Sequence, residues 1–178
     1  MASSRERFDS VLAWYRVSTQ ALDVFEVEAR ERPERHVAEV AAESQQEVLA
    51  GIGASREELE NFALLSLWAM FEEVINDWLL RRVRWVRSGE NLDPRLQAGL
   101  ARQVTHWRTA EKIEALAMLL GEETARDLQT VRKWRDWVAH RKRGARPTAV
   151  DFETAQALFD AVLTQLEACP MGDSCALS

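Results

Sequence analysis

Cysteine is nearly absent from this chain of 178 residues, with two in all, Cys169 and Cys175, both near the C-terminal end. Neither has a cysteine or histidine partner at a zinc-finger spacing, so they are expected to be incidental thiols. Histidine is scarce too. His36, His106 and His140 are scattered, no HExxH is present, and neither a metal nor a cofactor is implied. With 7 glycines and 4 prolines, fibrous and low-complexity readings are excluded. Long apolar runs are missing as well: the longest, Phe62 to Phe71, is broken by Ser66 and followed at once by Glu72 and Glu73, against the ~20 residues a membrane span needs. The opening MASSRERFDS has no apolar stretch behind its first charges, which sets the expectation of no secretory signal and a cytoplasmic location.

No stretch of four or more residues alternates as a strand does, whereas apolar residues recur at three- and four-residue spacings almost throughout. The expected fold is an all-α antiparallel helical bundle. Its helices fill one domain over residues 1–168, an N-terminal helical extension at 1–54 and a core at 55–168, followed by a loose tail at 169–178. A first helix from about Ser4 to Arg32 carries Phe8, Val11, Leu12, Tyr15, Leu22 and Phe25 at three- and four-residue spacings until Pro33 ends or kinks it. A second is predicted to reach Ala50 and to break at Gly51 and Gly53, after which Ser55 with Glu58 reads as a capping box for a third. That third helix is apolar nearly all round between Phe62 and Leu80, as a helix packed on several sides should be. After the loop SGENLDP, Leu96, Leu100 and Val104 share a face. Thr109 reads as the N-cap of a helix ending at Gly121, the next helix carries Leu128, Val131, Trp134 and Val138, and Asp151 caps a last one bearing Ala155, Leu158, Phe159, Val162 and Leu166.

The net charge of −6 is unevenly spread. Arg132, Lys133, Arg135, Arg141, Lys142, Arg143 and Arg146 face one acid, Asp136, within fifteen residues, and Arg81, Arg82, Arg84 and Arg87 form a second basic group. Outside these two segments the chain carries −16. Such a strip suits phosphate on an otherwise repulsive surface, although basic residues near helix C-termini also complement the helix dipole. Glu26, Glu28, Glu31, Glu34, Glu39, Glu43 and Glu47 make the first two helices acidic, so they are expected to lie away from any RNA and to serve dimer or partner contacts.

On a helical wheel, Val131, Trp134 and Val138 point one way, while Lys133, Asp136, Trp137 and His140 point the other. Asp136 and His140 are one turn apart, close enough for the carboxylate to orient the ring for proton transfer near neutrality. Trp137 is a large aromatic on a polar face, fit for a covered interface or for base stacking. Glu72 sits on the crowded third helix, four residues after Trp68 and three before Ile75. A partner is required there, and Arg135 is the expected one. Glu73, Asn76 and Asp77 read as a solvated face.

The stretch Arg135-Asp136-Trp137-Val138-Ala139-His140 resembles the Arg-x4-His signature of HEPN domains (higher eukaryotes and prokaryotes nucleotide-binding). LSLWAMFEEVINDWL, with its Phe71-Glu72 pair, looks like that family's earlier core helix, and DFETAQALFDAVLTQL is similar to its closing helix. The resemblance covers roughly residues 55–168. It implies a metal-independent endoribonuclease, the toxin of a toxin–antitoxin pair or an antiviral defence effector, in which the ribose 2′-hydroxyl attacks the adjacent phosphate. On that reading His140 exchanges protons, Arg135 stabilises the phosphorane charge, and Asp136 stands where the family commonly has another polar residue, often Asn. Arg132, Lys133, Trp137, Arg141, Lys142, Arg143 and Arg146 would hold RNA, with Glu72 supporting Arg135. The resemblance further implies a homodimer with a composite site, because residues five apart point about 140° from each other on one helix. A separately encoded minimal nucleotidyltransferase antitoxin is the implied partner. The alternative is a catalytically silent helical dimer that binds nucleic acid or protein through the same strip.

Overall fold

Ser3 opens the first helix by a reciprocal cap: its hydroxyl accepts the Glu6 N–H at 3.2 Å while the Glu6 carboxylate accepts the Ser3 N–H at 2.6 Å. The computed structural model describes residues 3–35, 44–89, 94–140, 147 and 151–169. Six helices follow in order: α1 (Ser4–Glu31), α2 (Gln45–Gly89), α3 (Pro94–His106), α4 (Thr109–Leu120), α5 (Glu122–Ala139) and α6 (Phe152–Ala168). A short helical stretch at 33–35 follows α1, and no strand occurs among the described residues. The protein is all-α. No described helix is long and apolar enough to cross a membrane.

The predicted break at Gly51 and Gly53 does not occur. α2 starts at a different Ser-x-x-Glu pattern, in which the Ser44 N–H donates to Glu47 Oε2 and the Glu47 N–H donates to Ser44 Oγ, and then runs unbroken through both glycines and Ser55. Each glycine costs a helix about 1 kcal/mol relative to alanine. Burial on either side outweighs that cost, because Val48 and Ile52 are each 4% exposed in a cluster with Ala29, Leu22, Phe25 and Leu49. At about 25 cal/mol per Å², two largely buried aliphatic side chains contribute roughly 3–6 kcal/mol. Periodicity continues past Gly53, and the helix follows it.

The chain divides into two compact units within α2, after Ser66. In the first, α1 and the start of α2 enclose the cluster just named, and the Gln45 side-chain amide donates to the Ala29 and Arg30 carbonyls at 3.1 and 3.3 Å, satisfying acceptors at the end of α1. Arg56 reaches Glu26 and, at 2.7 Å, Asp23. Hydrogen bonds from Arg30 and Arg56 hold the Glu26 carboxyl below its usual range, and those to Glu26 and Asp23 raise Arg56.

The second unit is built on three rings, Trp68, Phe71 and Phe159, with centroids 5.1 to 5.9 Å apart in tilted and edge arrangements. Ile113 and Leu116 of α4, Leu128 and Val131 of α5, and Phe152, Val162 and Leu163 of α6 are buried to 1% exposure or less. Gly121 joins α4 to α5 at φ 85°, ψ 152°, a conformation in which a side chain is strained. Asp151 caps α6 as expected, accepting the Thr154 N–H at 2.7 Å. The Thr154 hydroxyl and that N–H lower the Asp151 carboxyl. Thr109 is the first residue of α4, and Arg108 is its N-cap. Cys169 is 7% exposed and disulfide-bonded, so it is not the free thiol expected; Cys175 lies outside the described residues.

Candidate functional site

α5 starts with Glu122 and Glu123 in its first turn, where a negative charge complements the helix dipole, and buries Ala125, Leu128, Val131 and Trp134. That stripe fixes the rotation of the helix and directs Arg132, Arg135 and Asp136 onto partly covered ground. Arg135 Nη2 donates to both carboxylate oxygens of Glu72, at 3.0 and 2.9 Å, and Nη1 donates to Asp136 Oδ1 at 2.9 Å. The pairing expected between Glu72 and Arg135 is present. Arg132 Nη1 donates to Asp136 Oδ2 and its Nε to Gln129 Oε1, both at 2.8 Å, and Gln129 in turn donates to the Ala110 carbonyl at 3.0 Å. The Arg135 guanidinium lies 5.7 Å from the centroid of the Trp68 ring.

Two contributors escaped the reading of the sequence. The Thr109 hydroxyl, expected at a helix cap, donates to Glu72 Oε1. Asn76, placed on a solvated face, is half-buried and accepts from Lys112 Nζ at 2.9 Å, while Glu73 and Asp77 are exposed. Glu72 and Asn76 are four residues apart on α2, so one turn presents both to α4. The i,i+4 spacing was the available signal.

His140 stands at the C-cap of α5, exposed, its backbone N–H donating to the Asp136 carbonyl at 3.0 Å. The Asp136 carboxylate does not serve the His140 ring as expected. It commits Oδ1 to Arg135 and Oδ2 to Arg132, because guanidinium donors one and four residues away form stronger charge-assisted bonds than an imidazole at the helix end. Among the described residues the Arg135 guanidinium contacts Glu72, Asp136 and Trp68, and His140 is not one of them. Lys133 is exposed and Trp137 half-buried, so the aromatic ring does not stand clear on the polar face. Val138 is half-buried rather than core. Arg141, Lys142, Arg143 and Arg146 lie outside the described residues. Of the second basic group, Arg81 is exposed and Arg82 stacks on Trp78 at 5.8 Å, while the side chains of Arg84 and Arg87 fall outside the description.

In the described part of the strip two arginines meet two carboxylates, each side chain between 27% and 33% exposed, and Lys133 adds one exposed positive charge. A guanidinium has five N–H donors, and the three bonds that Arg135 makes to described residues leave two of them for a further acceptor. Among the described residues no three His, Cys, Asp or Glu side chains group so as to hold a metal ion.

Fold and site together define a class, an all-helical protein with a half-covered arginine–carboxylate network beside an exposed helix-end histidine. The chain matches no protein-family model, no curated protein and no solved structure.

Proposed function

We propose that this protein is a metal-independent endoribonuclease of the HEPN type, acting in the cytoplasm as a toxin held by a separately encoded antitoxin or as an antiviral defence effector. The observation that carries the reading is the arrangement around α5. Arg135 is oriented by Glu72 and Asp136 with donors to spare, and five residues later His140 stands exposed where the helix ends. In the proposed reaction the RNA 2′-oxygen attacks phosphorus, the bond from phosphorus to the 5′-oxygen breaks, and a 2′,3′-cyclic phosphate and a 5′-hydroxyl result. One His140 takes the 2′-hydroxyl proton and the His140 of a second protomer protonates the leaving 5′-oxygen, while Arg135 neutralises the dianionic phosphorane. The homodimer belongs to the proposal, because the two groups point apart within one chain.

A second reading is favoured by the pairing of the two arginines. Arg132 and Arg135 are already neutralised by Asp136 and Glu72, as expected of a silent helical dimer that binds nucleic acid or protein through the remaining basic residues. Incubation with mixed cellular RNA in EDTA separates the two. Wild type is expected to cut, leaving cyclic phosphate ends, and Arg135→Ala and His140→Ala, folded by circular dichroism, are expected to lose at least about a hundredfold in rate. RNA bound but uncut by wild type would favour the silent reading.

A further inference from the structure

α1 is apolar on two sides. On one side Phe8, Leu12 and Ala29 are buried, with Leu22 and Phe25 packed into the first unit's core. On the other, Trp14, Val17, Val24 and Val27 are 45%, 66%, 61% and 54% exposed, and Ala21 between them is exposed as well. At 100° per residue the centres of the two stripes lie about 140° apart, with Trp14 on the edge nearest Phe25. A helix packed on one face carries polar residues on the other, so a second apolar stripe calls for a second cover. Trp14, Val17, Ala21 and Val24 also follow the 3-4-3 spacing of a two-helix seam. Arg7 and Ser10 continue that seam toward the N-terminus, and Glu28 and Glu31 toward the C-terminus.

We propose that this stripe docks against the same stripe of a second copy of the chain, the two α1 helices running antiparallel about a twofold axis at Thr19. Sequence and charge select that occupant and that direction. In an antiparallel pair every seam residue meets the one whose number brings the sum to 38: Trp14 faces the partner's Val24, and Val17 faces the partner's Ala21. The small alanine lets the helices approach closely where the valine projects. At the ends Arg7 faces the partner's Glu31, opposite charges meeting twice per dimer. A parallel pair in register sets Trp14 on its own copy and stacks Glu28 on Glu28 and Glu31 on Glu31, like charges in contact. The pairing uses α1 alone and stands independently of the ribonuclease reading.

Sedimentation of the full chain at micromolar concentration tests it. Wild type is expected to be a dimer. Val17→Glu with Val24→Glu, two positions already exposed in the single chain, is expected to weaken dimerisation on the order of a hundredfold by placing four carboxylates in the seam, with helical circular dichroism unchanged. Glu31→Arg alone is expected to weaken it about five- to tenfold, and Arg7→Glu added to it to restore the dimer, since the cross-pair is re-formed with its signs exchanged. A monomeric wild type would assign the stripe to another occupant and overturn the proposal. So would a dimer indifferent to the glutamates, an outcome that leaves the composite ribonuclease site standing, and a charge swap without rescue would overturn the antiparallel direction.

Discussion

Arg135 is held by three hydrogen bonds to two carboxylates, and their worth depends on their surroundings. A surface ion pair contributes little, whereas a guanidinium–carboxylate pair that water reaches only in part is worth about 1–2 kcal/mol. The Glu72 and Arg135 side chains are each 29% exposed, which places the pair in the second class. Glu72→Gln preserves the shape and removes the charge, so urea unfolding is expected to show a loss of about 1–2 kcal/mol, and a cycle with Arg135→Gln a coupling energy of similar size. A coupling near zero would mean that Asp136 alone suffices to hold the guanidinium. Glu72 was legible in the sequence because a carboxylate on an apolar helix needs a partner, and Arg135 was the natural candidate. Thr109 was not, since a threonine before a helix reads as a cap, and only the approach of α4 to α2 turns its hydroxyl toward Glu72.

At the scale of the element, local signals and packing disagreed once, and packing prevailed. Two glycines and a Ser-x-x-Glu pattern at Ser55 are ordinary marks of a helix boundary, yet α2 passes through them. The substitutions Gly51→Ala and Gly53→Ala are expected to raise stability by about 0.5–1 kcal/mol each, because a Cβ at either meets nothing within 4 Å and the backbone is already helical. Gly121→Ala is expected to do the opposite, losing about 1–3 kcal/mol at equal steric freedom, because its φ of 85° with ψ of 152° is nearly closed to other residues. Urea midpoints of the three variants check both signs together. Where signals were local and unopposed they were followed: α1 starts at Ser4 and leaves helical geometry before Pro33, and α6 starts behind Asp151.

For the whole molecule, the balance of charge governs how RNA would be met. Most of the surface repels polyanions, and within the strip Arg132 and Arg135 are already paired. Binding of a labelled single-stranded RNA is expected to lose roughly fiftyfold in affinity between 50 and 200 mM salt for four phosphate contacts. Changing Arg141, Lys142 and Arg143 to glutamine is expected to flatten that dependence, and Arg132→Gln to change it less, since a guanidinium engaged by Asp136 displaces fewer counterions. Fluorescence anisotropy at several salt concentrations measures both slopes. The all-helical class, the apolar faces of α1, α5 and α6, and the concentration of positive charge near the end of α5 were determined by the sequence alone, because spacing along one chain decides which side chains share a helix face. The continuity of α2, the commitment of Asp136 to arginines instead of His140, and the joining of Glu72, Thr109 and Arg135 in one network were decided by tertiary structure. Each depends on which faces of separate helices meet, and on burial or charge pairing at those contacts exceeding what the local residues prefer.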